Sequence, residues 1–258
     1  MTELDLNILS ELIMYEPKNN KIRFGNQWDA GYIIIDEYDY DLYISCGIST
    51  DVSFDISFNS YRPNIKGFAF DASVGRPYDL PNNYEFISKF IGTENTNEFT
   101  NLEDYIGDSE NIFIKMDIEG CEWNWINKFN QFSKVKQLVI ECHGLFDPRE
   151  DIGWPNIGKY KYPSILESFK KLNETHYLVH FHANNAAEAY CTINNSLGYK
   201  PKGHNEYPTV VELTYIRKID SDINGLNFEE LPIPDLDYAN YINETDFKIN
   251  YVPLVNKK

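Results

Sequence analysis

Short apolar runs alternate with stretches of helical periodicity along most of this chain. Seven runs have the length and the β-branched or aromatic content of buried strands: Leu42–Cys46, Gly67–Phe70, Tyr84–Ile87, Ile112–Met116, Gln137–Ile140, Tyr177–Phe181 and Val210–Ile216. Four stretches between them are predicted as helices: Val52–Asn59, Leu102–Ile106, Glu122–Phe132 and Ser164–Leu172. This alternation indicates βαβ units, so we predict an α/β fold whose mostly parallel sheet is buried on both faces.

The two ends of the chain have different patterns. An apolar stripe over Leu4–Tyr15 predicts a helix that closes before Pro17, within an N-terminal segment 1–20. From about Ile219, prolines stand among acids and aromatic residues, which is typical of an irregular arm. We therefore predict a main domain over 21–218 and an arm over 219–258 that docks on it; a disordered tail is the alternative.

Composition narrows the classes of partner. The 258 residues include 40 acids and 23 Lys or Arg, which gives a formal net charge of −17. Such a surface opposes binding to nucleic-acid phosphates and to anionic membranes. No apolar run approaches the roughly 20 residues of a membrane span, and the first residues are acidic where a signal peptide is basic. We expect a cytosol-like location with reduced cysteines.

A first group of residues predicts a cofactor site. Leu42–Cys46 runs directly into Gly47, which permits a tight turn, and the next strand ends in Asp71. A strand-end carboxylate beside a glycine turn suits the ribose of a nucleoside cofactor. GxGxxG and GxxxxGK[ST] motifs are absent, so a cofactor without phosphates, such as S-adenosylmethionine, fits better than a dinucleotide or ATP. The alternative is an ordinary β-α turn with a surface aspartate.

A second group of acids and histidines follows the later strands. Asp117 comes after Ile112–Met116, Glu141 and His143 come after Gln137–Ile140, and His182 follows Phe181. Because these strand ends share one edge of a parallel sheet, we expect the four side chains to converge. They suit a divalent cation, held by Asp117, Glu141 and His143, or acid/base catalysis. The alternative is a set of solvated strand-end carboxylates and packed histidines.

Several segments of the chain form motifs that occur together in a known family. Residues 115–123 read KMDIEGCEW, which is similar to the K-[IM]-D-[IV]-E-G-x-E signature of FkbM-type methyltransferases. Residues 23–32 resemble its R-x-G…D-G-G-Y segment, with Ala30 in place of the first glycine of the pair. Residues 43–55 resemble S-x-G-x-x-x-D-x-S-F-E, and 70–73 match F-D-[PA]-[ST]. Further blocks at 138–143, 182–185 and 208–215 follow in the family order.

The resemblance implies a class I, Rossmann-like methyltransferase fold, with a seven-stranded sheet whose last strand is antiparallel. Many relatives transfer a methyl group to a hydroxyl oxygen, often on a sugar or polyketide-like molecule. The resemblance also implies a set of residues near S-adenosylmethionine: Cys46, Gly47, Ser49, Ser53, Phe54, Asp71 and Ala72.

Our hypothesis is O-methyl transfer from S-adenosylmethionine to a sugar, glycan or related small molecule, assisted by Mg²⁺ or another divalent cation. Asp117, Glu141 and His143 would hold the cation or act as acid/base groups, with His182 as a further base candidate. Asp29 and Tyr32 would bind the acceptor. Two alternatives remain: a metal-dependent hydrolase, and a non-catalytic module that binds a cofactor or glycan.

Overall fold

A seven-stranded sheet forms the centre of the computed structural model, which describes residues 3–36, 39–146, 161–186, 189–193, 196–199 and 206–257. The strands are β1 Tyr15–Pro17, β2 Lys21–Phe24, β3 Tyr32–Ile35, β4 Leu42–Cys46, β5 Gly67–Phe70, β6 Tyr84–Ile87, β7 Phe90–Ile91, β8 Phe99–Thr100, β9 Ile112–Met116, β10 Val135–His143, β11 His176–Ala183, β12 Ala189–Ile193, β13 Ser196–Tyr199, β14 Glu206–Pro208, β15 Val210–Arg217 and β16 Ile223–Leu226. The helices are α1 Glu3–Ser10, α2 Ser53–Tyr61, α3 Glu103–Ile106, α4 Glu122–Lys128 and α5 Lys161–Thr175.

The strand order of the central sheet is β11-β15-β10-β9-β4-β5-β6. Strand β15 is antiparallel to both β10 and β11, whereas the pairings from β10 through β6 are parallel. The predicted fold class is therefore confirmed: the sheet is mostly parallel and its last strand is antiparallel. A small antiparallel sheet, β13-β12-β14, lies between β11 and β15 in sequence.

Helices and a hairpin cover the two faces of the sheet. On one face the sheet packs on α1, α3, α4 and α5 through side chains such as Ile8, Trp125 and Phe169. On the other face it packs on α2 and the β2–β3 hairpin, through an aromatic cluster that includes Phe54 and Phe58. Trp123 and Trp125, both on α4, are buried in the core on the first of these faces.

Two predicted helices end earlier than expected. Helix α1 ends at Ser10, and Tyr15–Pro17 instead forms strand β1, which pairs with β16. Helix α4 ends at Lys128, where the backbone of Phe129 becomes extended. Met14 and Phe132 are nevertheless buried. Beyond the ends of α1 and α4, the apolar spacing therefore indicates that side chains are buried. It does not indicate that the helix continues.

The chain from Ile219 onward returns to the body. Strand β16 pairs with β1, and Leu231 pairs with Ile249. Phe247 joins the main core, and Asp237 Oδ1 lies 2.9 Å from Nε2 of the buried His180. In the part of the chain that the structure describes, no helix has the length and apolar content needed to cross a membrane.

Candidate functional site

The turn after β4 brings three strand ends together. The backbone N–H of Gly47 donates to the Phe70 carbonyl at 2.9 Å, and the N–H of Asp117 donates to the Cys46 carbonyl at 3.0 Å. Gly47 has φ +69°, and a Cβ at this position would lie 1.6 Å from the Asp117 carbonyl oxygen. A side chain here would clash with backbone, so the geometry requires glycine. The glycine therefore allows the ends of β4 and β9 to meet closely.

Asp71, immediately after β5, forms hydrogen bonds with the loop after β4 and with the loop after β5. Its Oδ2 accepts the backbone N–H of Ser49 at 2.8 Å, and its Oδ1 accepts both the N–H and the hydroxyl of Ser73 at 2.7 and 2.6 Å. A carboxylate oxygen has two lone pairs, so Oδ2 retains one for a further donor such as a ribose hydroxyl.

A cleft of about 360 Å³ opens beside these residues, lined by Gly47, Asp71, Asp117 and the apolar side chains of Phe90 and Phe99, among others. This volume lies in the range of roughly 300–1,000 Å³ that is common for small-molecule sites. Phe90 and Phe99 are 46% and 40% exposed, and their ring centroids are 5.7 Å apart. The cleft therefore offers one polar wall and one apolar wall.

A larger cavity, of about 510 Å³, lies at the opposite edge of the sheet, where residues such as Asp41, Lys66 and Ser109 line it. These residues precede strands β4, β5 and β9, so this cavity opens at amino ends of the strands. Ligands of open parallel sheets bind outside the carboxyl ends. The smaller cleft is therefore the better candidate.

Asp117 also belongs to a cluster with Glu119 and His143, in which one ligand atom from each residue lies within 4.8 Å of the others. The Nε2 of His143 lies 3.5 Å from Glu119 Oε2 and 3.7 Å from Glu141 Oε1. Asp117 Oδ1 is buried without a hydrogen-bond partner among the described residues. Two carboxylates and an imidazole are suitable ligands for a divalent cation, so this donor set fits one.

Glu141 lies beside this cluster and is already hydrogen-bonded. The Tyr32 hydroxyl lies 3.2 Å from Glu141 Oε2 and 3.3 Å from Asp117 Oδ2, and the Asn184 amide donates to Glu141 Oε1 at 3.1 Å. Burial, and then the Asp117 carboxylate, raise the pKa of Glu141 well above its usual range. Burial also raises the pKa of Asp117 to about 6, although Lys115 and His143 oppose the shift.

His143 is oriented by a carboxylate that the sequence reading did not select. Its Nδ1 lies 3.0 Å from Oε1 of Glu122, which is fully buried. Burial lowers the pKa of His143, but the Glu122 carboxylate outweighs that effect and the net pKa is about 10. The imidazole is therefore protonated at neutral pH in the metal-free protein, and a cation would displace the proton on Nε2.

His182 lies in a separate ion pair network. Its Nδ1 is 3.1 Å from Glu212 Oε2, and its Nε2 is 3.3 Å from Asp246 Oδ2. Burial lowers the pKa of His182, but the neighbouring carboxylates, Glu212 first, raise it well above its usual range. Because both ring nitrogens face carboxylates, the imidazole is not placed to accept a proton from a substrate. Glu212 lies opposite both Glu141 and His182 in the strand register.

The other predicted residues take different places. The side chains of Cys46 and Phe54 lie in the core. Ser53 Oγ accepts the backbone N–H of Asn26 at 3.0 Å and so ties down the N-terminal loop. Ala72 adjoins Asp71 and is partly exposed, and Asp29 is exposed on the loop before β3. Among the seven residues expected near the cofactor, the cleft brings Gly47 and Asp71 together with Asp117.

Four functional candidates were missed at the sequence level. Glu119 and Glu122 stand in the KMDIEGCEW segment, so the motif contained a signal for them. Lys115 stands there too; its buried ammonium donates to the Gly47 carbonyl at 3.2 Å and lies 5.2 Å from the Tyr32 ring centroid. Glu212 had no local signal, because its place beside Glu141 depends on long-range strand pairing.

Comparisons with known proteins find a partial likeness to solved structures. No protein-family profile matches the chain, and no curated protein matches it significantly. A SAM-dependent O-methyltransferase from Thermotoga maritima aligns with 70% of this chain at 14% identity and a TM-score of 0.34, and the match spans 61% of that protein's own length. A 16S rRNA (adenine(1408)-N(1))-methyltransferase from Catenulisporales acidiphilia aligns with 69% of this chain and 87% of its own, at 11% identity and a TM-score of 0.31.

A putative methyltransferase from Thermoplasma acidophilum aligns with 80% of this chain and 84% of its own, at 9% identity and a TM-score of 0.33. Likenesses at this level do not show an activity for this chain.

Proposed function

We propose that this protein is an S-adenosylmethionine-dependent O-methyltransferase that acts on a hydroxyl of a sugar, glycan or related small molecule, assisted by a divalent cation. One observation carries the proposal: Asp117 belongs both to the cleft with Gly47 and Asp71 and to the cluster with Glu119 and His143. A cofactor cleft and a group of acid/base side chains therefore adjoin at the carboxyl edge of the sheet.

The residues of the cleft fit the proposed cofactor. Asp71 Oδ2 has a lone pair for a ribose hydroxyl, and Phe90 and Phe99 offer apolar surface to a flat base. The loop after β4 lacks the GxGxxG glycines that let a backbone wrap a pyrophosphate, which agrees with a cofactor that has none. When bound, S-adenosylmethionine supplies an activated sulfonium methyl group.

The residues beside the cleft fit the proposed acceptor chemistry. Asp117, Glu119 and His143 would hold the cation, whose contribution there is to lower the pKa of a nearby hydroxyl. Glu141 would accept the hydroxyl proton, since burial and the Asp117 carboxylate raise its pKa above the usual range. The Tyr32 hydroxyl orients Glu141, and with Asp29 it would form the acceptor side of the site.

Mass spectrometry of a panel of nucleotide sugars and glycans, incubated with the protein, S-adenosylmethionine and Mg²⁺, tests the proposal. We expect a gain of one CH₂ group on at least one acceptor, and we expect a chelator to abolish it. Asp117→Asn should remove turnover, because it removes a charge from the cluster. Asp235→Asn, at an exposed position of the arm, is the matched control and should retain activity.

Two results would contradict different parts of the proposal. Turnover that a chelator leaves unchanged would overturn the role of the cation. Hydrolysis of an acceptor without S-adenosylmethionine, or cofactor binding without transfer to any acceptor, would favour a metal-dependent hydrolase or a non-catalytic module, respectively.

A further inference from the structure

We propose that Glu122 is the positioning residue of the cation site and acts through His143, whose imidazole it orients. It also supports the loop that carries Asp117 and Glu119. This inference rests on the cation part of the proposed function and deepens it. Glu122 is the first residue of α4 and is fully buried. The Glu122 side chain does not line the cofactor cleft, although Ile118, whose N–H it accepts, does.

The loop between β9 and α4 depends on Glu122. Its Oε1 accepts the backbone N–H of Ile118 at 3.2 Å and the N–H of Gly120 at 3.0 Å. Within this loop Glu119 has φ +55° and Gly120 has φ +99°. A glutamate in the left-handed region is uncommon and is held by its surroundings. The two bonds to Glu122 therefore fix the turn that points Glu119 toward His143.

The same oxygen of Glu122 sets the orientation of the imidazole. His143 Nδ1 lies 3.0 Å from Glu122 Oε1, and this leaves Nε2 facing Glu119 and Glu141. The backbone of His143 is also fixed, because the Trp123 indole donates to its carbonyl at 2.8 Å. Histidines that bind metals commonly donate their other ring N–H to a carboxylate in this way.

The charge of Glu122 distinguishes this role from simple loop support. Its second oxygen, Oε2, is buried and has no hydrogen-bond partner within the described ranges. Burying a carboxylate with one oxygen unsatisfied is costly. A glutamine would accept the same two backbone bonds without burying a charge. A negative charge at this position is explained if it strengthens His143 as a ligand.

Binding of Mn²⁺ to the full chain tests this role without cofactor or acceptor. The electron paramagnetic resonance signal of free Mn²⁺ measures this binding. We expect Glu122→Gln to weaken Mn²⁺ binding about 10- to 100-fold, the usual effect of removing such a partner. Asp55→Asn is the matched control, since Asp55 is also a buried acid but bonds to Tyr43. It should leave the Mn²⁺ affinity unchanged.

A double-mutant cycle separates orientation of His143 from general loop support. If Glu122 acts through His143, Glu122→Gln should cost much less affinity in a His143→Ala background than in the wild-type protein. Equal losses in both backgrounds would overturn the proposal. Failure of the wild-type protein to bind Mn²⁺, or equal binding by wild type and Glu122→Gln, would also overturn it.

A measurement on the wild-type protein keeps the proposal testable if Glu122→Gln does not fold. Long-range ¹H–¹⁵N spectra should show that Zn²⁺ shifts Nε2 of His143 while Nδ1 stays protonated; coordination through Nδ1 would overturn the proposal. Calorimetry with S-adenosylhomocysteine distinguishes failure here from failure of the proposed function. Cofactor binding with no Mn²⁺ binding refutes this role, and the reverse result refutes the methyltransferase.

Discussion

At Gly47 a single backbone conformation decides whether the strand ends can meet. Gly47→Ala adds a Cβ at φ +69° that points at the Asp117 carbonyl oxygen. We expect the free energy of unfolding to fall by about 1–3 kcal/mol, and we expect cofactor affinity to fall because the cleft must open. Urea denaturation and calorimetry measure the two effects.

Gly75→Ala is the matched control for this substitution. An added Cβ at Gly75 meets nothing within 4 Å, and the backbone there does not require glycine. This variant should be close to wild type in both measurements. Equal stability of Gly47→Ala and Gly75→Ala would contradict the close approach of the strand ends.

Individual site residues were predictable where a charged side chain comes directly after an apolar strand. Asp71 and Asp117 each stand immediately after an apolar strand, so the rule for parallel sheets was enough to place them at one edge. Glu119 and Glu122 were not predicted, because their positions depend on a turn in the left-handed region. Cys46 and Phe54 were assigned to the cofactor by resemblance, whereas the structure buries both side chains in the core.

Strand β11 begins with a histidine whose neutral form stabilises the fold. His176 Nε2 lies 2.8 Å from the Val135 carbonyl, and Nδ1 lies 2.8 Å from the Thr175 hydroxyl. Burial lowers the pKa of His176 from 6.5 to about 4. Between these values the unfolded chain takes up a proton that the folded chain does not, so stability falls as the pH falls.

His176→Gln removes this titration and keeps a side-chain N–H donor for Val135. We expect the stability of wild type relative to the variant to decrease from pH 7 toward pH 4, by a total on the order of 3 kcal/mol. Urea denaturation of both proteins across this range measures the difference. Contributions from groups that titrate in both proteins cancel in this difference. A difference that does not change with pH would contradict a neutral buried His176.

Elements were predictable wherever the apolar pattern and the backbone conformation agree. Strands β4, β5, β6 and β9 have the predicted bounds, because each is a short apolar run bounded by turn or polar residues. The pattern failed at the ends of α1 and α4. Phe129 stacks on Trp125 and Phe132 packs edge-on against it, with ring centroids 4.6 and 5.6 Å away. Both residues continue the apolar spacing although the helix has ended.

At the scale of the whole molecule, the site depends on contacts between distant parts of the chain. Strand pairing places Glu212 opposite Glu141 and His182. Residues from the end of the chain contact these buried polar side chains. Asn240 donates to Glu212 Oε1 at 2.6 Å, and Asp246 faces His182. Local patterns do not contain such pairings. The resemblance implied a seven-stranded sheet with an antiparallel last strand. Glu141 and His182 were expected at the strand ends, but Glu212, Asn240 and Asp246 beside them were not.

The central claim is that the cleft at Gly47, Asp71 and Asp117 binds an adenosyl cofactor. Isothermal titration calorimetry with S-adenosylhomocysteine tests it most directly. We predict binding at one site on the wild-type protein, affinity at least about 10-fold weaker in Asp71→Asn because a charged hydrogen-bond acceptor is lost, and nearly unchanged affinity in His143→Ala. No heat of binding at millimolar ligand, or equal affinity of wild type and Asp71→Asn, would contradict the claim.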